Sequence, residues 1–189
     1  MGCHRLDDPR TRMKIDDDHF TLFGLEPRFG LEREQLDGRW RALQAEVHPD
    51  RFAAEGAAAQ RLAMQWAVRV NEGYRTLKDP LKRGAYLCEL RGVPVEAENN
   101  TAMPVAFLMQ QMEWREALDD ARDVARVEVI DAEVALQEAA LLRQLRSLLD
   151  DPADIDQTPA AAQLVRSLMF VARFRQDIER RLDTLDPTR

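Results

Sequence analysis

Cysteine is nearly missing: Cys3 and Cys88 are the two in 189 residues. Thiols so far apart make no disulfide framework, which fits a reducing compartment. Histidine is also too scarce for a metal site. His4, His19 and His48 are the three, with no clustered ligands and no Cys-x-x-Cys pair, so neither a metal nor another cofactor is expected. No apolar run approaches the roughly 20 residues that span a bilayer, so no membrane is expected as a partner. The opening stretch MGCHRLDDPRTRMKIDDDHF lacks the apolar core of a secretory signal, and its acids argue against a transit peptide. A bacterial cytoplasmic location is the expectation. A basic surplus is absent too. The formal net charge is -7, whereas nucleic-acid binding needs cations to neutralise phosphate. Glycine stops at 8 residues while charged residues reach 32%, a balance that favours helix over sheet.

What is present is helical periodicity, nearly throughout. Phe20, Leu22, Phe23 and Leu25 form a short apolar opening that Pro27 and Gly30 stop. Over 32–47, Leu36, Trp40, Leu43 and Val47 recur at helical spacing and predict one buried stripe, with Arg41 on the far side. Pro49 then breaks the helix, since it has no amide hydrogen and disfavours helix at the residue before it. A helix over 56–78 is predicted with Leu62, Trp66, Val70 and Leu77 inward. Asp79-Pro80 caps and starts another, which ends near Gly92. Three further helices are predicted at about 103–122, 123–150 and 159–185, with Asp150-Asp151-Pro152 and Thr158-Pro159 as punctuation.

The expected architecture is therefore all-α: an N-terminal helical hairpin plus a C-terminal antiparallel three-helix bundle. Its expected segments are a disordered tail (1–15), a first module (16–92), a linker (93–102) and the bundle (103–187). Charge divides along the same line. Residues 16–91 hold 12 basic and 13 acidic side chains, whereas 103–189 hold 11 and 17, a contrast that points to modules with different partners.

The helix at 103–122 carries one stripe too many. Phe107, Gln111, Trp114, Leu118 and Ala121 fall together as a core face. Leu108, Met109, Met112, Glu113, Glu116 and Asp120 fall in a different sector, apolar at its start and acidic further on. Either neighbouring helices wrap widely enough to bury Leu108 and Met112, or this face is an exposed docking patch. Methionine suits the second reading because it adapts its shape. On the last helix Leu164, Leu168, Val171, Ile178 and Leu182 form the stripe. Phe170 projects beside it, either to join the patch or to fill the edge of the core.

The stretch VHPDRF, residues 47–52, admits several readings. As a catalytic pair, His48 and Asp50 would diverge across Pro49, and no nucleophile supports them. As a metal site it lacks ligands. As plain structure, His48 would sit at a helix C-terminus and Asp50 would help cap the next helix. As a presented surface, a short loop held by proline displays a rigid charged tip.

At these residues the chain resembles a known family. FTLFGL, a basic amphipathic helix, HPDRF and VNEGYRTLKDPLKRGAYL together look like a J-domain, the co-chaperone module that stimulates ATP hydrolysis by DnaK-family chaperones. TAMPVAFLMQQMEWREALDDA, followed by a helical bundle, narrows the resemblance to the HscB family of iron–sulfur cluster assembly. The match runs from 18 to about 186.

The resemblance implies that 16–92 is the J-domain. His48, Pro49 and Asp50, with Arg39, Arg41 and Arg51, would engage the chaperone HscA. Leu108, Met109, Met112, Glu113, Glu116, Asp120 and Phe170 would hold the scaffold protein IscU, the same face that periodicity singles out. It implies a monomer that is not itself an enzyme. A J-domain protein serving a different client is the alternative, and a structural adaptor a third reading. Departures are few. Gly73 replaces a usual alanine, at an expected cost of roughly 0.5–1 kcal/mol of helix stability. Cys88 and Met112 stand where leucine is common. Cys3 alone cannot build the zinc module of some eukaryotic relatives.

Overall fold

The computed structural model describes residues 14–95 and 103–186. Every regular element among them is helical. The chain divides into two compact units, with the boundary between Arg83 and Gly84.

The first unit opens with α1, His19–Phe23. Asp18 caps it by accepting from the backbone N–H groups of Phe20 and Thr21, and Gly24 closes it at φ 61, where a side chain would be strained. Five residues cannot hold a helix alone, and α1 is held by burying Phe20, Leu22 and Phe23. The hairpin comes next: α2, Arg33–Val47, and α3, Ala57–Lys78. Leu36, Leu43 and Val47 face the core from α2 as expected, while Trp40 is half-buried.

On α3 the inward set is Ala63, Trp66, Val70, Gly73 and Leu77. Leu62, expected inward, is 51% exposed. The helix phase that buries Trp66 and Val70 brings Ala63 to the interior instead. Asp79 caps α4, Pro80–Leu90, by accepting from Leu81 and Lys82 N–H at 2.9 and 3.2 Å.

The second unit begins within α4, from Gly84 onward. Its bundle is α5, Val105–Asp120; α6, Val124–Leu149; and α7, Thr158–Leu185. Asp123 caps α6 through Arg126 N–H at 2.8 Å, and Asp150 ends it. Thr158, expected as a cap, is wholly buried inside α7, and Gln157 holds the cap position without a side-chain bond. Val127, Ile130, Val134, Leu141 and Leu145 of α6 pack with Val165, Leu168, Val171, Phe174 and Ile178 of α7. Leu164 is only half-buried, because Val165 takes the core position beside it. Arg175 bridges Asp131 at 3.3 Å and Glu138 at 3.0 Å on the flank. Arg181 donates to Ala121 O at 2.6 Å, closing the end of α5.

Of the segments expected as tail and linker, residues 1–13 and 96–102 lie outside the described residues. Val95, just before the second gap, is buried and accepts from Arg166 at 3.1 Å.

Candidate functional site

Two surfaces come from the candidate residues, one in each unit. The first is the turn after α2. Pro49 forbids another helical residue before it, and His48 leaves the helix at φ -62, ψ 126. The chain does not loop freely from there. It winds into a 3-10 helix, Pro49–Glu55. His48 Nδ1 accepts from Asp50 N–H at 3.3 Å, so His48 is the cap and Asp50, expected to cap, is not. The Asp50 side chain is 90% exposed. One of its oxygens lies 3.6 Å from His48 Nδ1, beyond hydrogen-bond reach, and that nitrogen already accepts from the Asp50 N–H, so the carboxylate is left largely to solvent.

Two anchors hold this turn against the hairpin. Arg51 donates from Nη1 to Ala45 O at 2.9 Å, tying the turn to the last carbonyls of α2. Phe52 is buried beside Val47, Ala63 and Trp66, where Glu55, Ala59 and Leu62 line the rest of a shallow apolar groove. Arg51, expected among the residues facing a partner, therefore already has a structural bond. Its role in the turn was invisible in sequence, because the acceptor is a backbone carbonyl.

Arg39 and Arg41 are exposed on α2. Arg33 is instead paired with Asp37 at 2.8 Å, and Tyr74 OH donates to the same carboxylate at 2.9 Å. Tyr74's hydrogen bond, helped by Arg33, holds the Asp37 carboxyl below its ordinary range, and the same bond pushes the Tyr74 phenol up. Trp40 stacks on Tyr74 with centroids 4.7 Å apart and donates to Asn71 at 3.2 Å, where Gln44 also donates. These contacts fix the α2 face on α3, so its free arginines are displayed on a rigid surface.

The second surface is on α5. Phe107, Trp114 and Leu118 are buried. Trp114 stacks on Phe174 with centroids 5.8 Å apart and donates to Glu133 at 3.1 Å. The other face stays in solvent: Leu108, Met109 and Met112 are 41%, 59% and 63% exposed. Glu113, Glu116 and Asp120 are exposed further along. The wide-wrapping arrangement is thus ruled out, and a contiguous apolar face is left uncovered within this unit. Phe170 is half-buried. Its ring meets Phe107 edge-on at 6.0 Å and stacks on Phe174 at 6.2 Å, so it fills the core edge and still shows part of itself. Arg115, which the pattern did not flag, lies over that ring at 5.5 Å.

Among the described residues, no group of histidine, cysteine and acidic side chains could hold a metal ion. Cys3 and His4 lie outside them. Cys88 is fully buried, and burial pushes its thiol up to about 11, far from the thiolate a nucleophile requires.

The bundle matches the HSCB C-terminal oligomerisation domain over residues 103–179. A "Co-chaperone protein HscB homolog" of Burkholderia multivorans is 50% identical over 177 residues, covering 92% of this chain and 99% of the relative. The chain belongs to the HscB co-chaperone family. A second HscB homolog, from Burkholderia mallei, is 51% identical with the same coverage. The HscB chaperone from Vibrio cholerae shares 35% identity at a TM-score of 0.75, with 89% of this chain and 99% of that one covered. Human HscB, 24% identical with 88% and 83% covered, matches in fold at a TM-score of 0.81. The all-helical architecture is that of the HscB family. No helix among the described residues is long and apolar enough to cross a membrane.

Proposed function

We propose that this HscB-family chain stimulates the ATPase of an HscA-type chaperone and delivers an IscU-type iron–sulfur scaffold to it, aiding maturation of iron–sulfur proteins. The observation that carries the reading is the Asp50 carboxylate, 90% exposed on a turn anchored by His48, Arg51 and Phe52. A carboxylate presented this way can take an arginine in a charge-assisted, two-pronged pair, which gives direction as well as energy. Exposed Arg39 and Arg41 supply the positive flank for an acidic partner surface. Stimulation then requires only that the J-domain bind better to the chaperone conformation that hydrolyses ATP. The chain makes and breaks no bond itself.

The α5 face, with Phe170, holds the scaffold while the turn engages the chaperone. The place of action is the bacterial cytoplasm, and the working species is a monomer. Exposed Leu108 and Met112 would equally suit another client, so the scaffold is tested separately from the chaperone.

Steady-state ATP hydrolysis by the HscA-type chaperone is measured alone, with this protein, with the scaffold, and with both. Synergy that Asp50→Asn abolishes is the expected result. Undiminished stimulation by Asp50→Asn would refute the turn's role. Stimulation indifferent to the scaffold, together with unchanged scaffold affinity in Leu108→Ala/Met112→Ala/Phe170→Ala, would point to a different client.

A further inference from the structure

Around the α5 axis, at about 100° per residue, the docking face has two electrically different edges. Taking Met112 as centre, Glu116, Asp120 and Glu113 lie about 40°, 80° and 100° to one side. Leu108 and Arg115 lie about 40° and 60° to the other. Arg115 is exposed, and its guanidinium covers the Phe170 ring at 5.5 Å. Among the described residues it forms no ion pair, although Asp119 lies one turn later on the same helix. A cation held over an aromatic ring loses less freedom when it meets a carboxylate than a side chain free in water does.

We infer that Arg115 is the cationic edge of this face and takes a carboxylate of the scaffold. The inference rests on the proposed docking of an IscU-type scaffold. The scaffold must then present acid on the Phe170 side of its apolar contact and base on the Glu116–Asp120 side. That charge pattern fixes the orientation in which it docks, since the reversed pose would set Arg115 against bases and the acids against acids.

The test is calorimetric titration of the full chain with the scaffold at about 50 mM and 500 mM salt. The variants are Arg115→Gln, Arg115→Lys, Arg115→Glu and, as a control, Met112→Ala. Expected at low salt is an affinity about 10-fold weaker for Arg115→Gln, weaker again for Arg115→Glu, and within about 3-fold of wild type for Arg115→Lys. These gaps narrow at high salt, where charge is screened, while the Met112→Ala loss persists. If Met112→Ala weakens binding and Arg115→Gln does not, the inference falls and the docking reading stands. If Met112→Ala also binds normally, the docking reading itself is wrong. Equal, salt-independent losses in Arg115→Gln and Arg115→Lys would make Arg115 only a support for Phe170, which overturns the carboxylate assignment.

Discussion

Gly73 sits where α3 packs tightly against α1. A Cβ there would come within 2.9 Å of Phe23 Cε2 and 3.0 Å of His19 Nδ1, and both side chains are buried. The roughly 0.5–1 kcal/mol that glycine costs a helix is outweighed by an overpacking cost of typically about 1–3 kcal/mol. Gly73→Ala should therefore destabilise the protein by about 1 kcal/mol net, read as a lower urea midpoint at unchanged slope. A higher midpoint would show that α1 yields. Cys88 gives a second residue-scale expectation, with its sign set by burial. The folded state holds the thiol protonated up to about 11, whereas the unfolded chain ionises from the ordinary value of 9.0. The contribution is complete below pH 9 and is lost as pH rises toward 11. Stability of Cys88→Ala should fall less steeply through that window than wild type, and parallel curves would count against it. Neither effect could be read from sequence. Gly73 looked like a defect and Cys88 like a small hydrophobe, because the neighbours that constrain them come from other elements. The second stripe of Leu108 and Met112 was legible, but its exposure was not, since the pattern left open that neighbouring helices wrap widely enough to bury it.

At the scale of elements, several helix ends were legible because their cause is local, though Thr158 was misread as a cap and the Asp18 and Gly24 ends of α1 were passed over. Asp79, Asp150 and Pro49 each act on residues a few positions away, so their types were enough. The 3-10 helix after His48 was not, since it depends on Arg51 reaching back to Ala45 and on Phe52 finding a place beside Trp66. Helix phase was legible at most inward positions, Leu168 and Val171 among them, but not at all of them. Leu62 and Leu164 lost their inward places to Ala63 and Val165, which burial favours because the phase is set by their partners. The end of α6 shows the same limit more strongly. Arg91 reaches across 57 to 63 residues to donate to Leu148, Leu149, Asp151 and Asp154 carbonyls at 2.9–3.5 Å. One guanidinium thus satisfies acceptors that the helix end leaves open. Arg91→Ala should cost about 1.5–3 kcal/mol, the range for charged hydrogen bonds. Amide exchange in residues 150–157 should accelerate by more than the global loss explains. Unchanged protection there would show that water replaces the clamp without loss.

The whole molecule is two compact units carrying unlike surfaces, a charged turn in one and an apolar, acidic helix face in the other. If the two surfaces served independent tasks, they could be supplied by separate molecules. Delivery makes the opposite demand: the scaffold must arrive with the turn that triggers hydrolysis, and a covalent link provides that through effective concentration. The demand can be tested by mixing. On the proposed function, Asp50→Asn retains the scaffold face and loses the trigger, and Leu108→Ala/Met112→Ala/Phe170→Ala does the reverse. Each truncated contact is expected to cost on the order of 1 kcal/mol or more, enough in combination to leave the scaffold largely unbound at working concentrations. Together at equimolar amounts, the two variants should give the sum of their separate ATPase stimulations and none of the synergy of wild type. Adding excess Asp50→Asn to wild type should lower the synergy further, because scaffold held on a molecule without a trigger is withdrawn from delivery. Full recovery in the mixture would show that the units act without being joined, and the chain would then be two binding modules sharing a backbone.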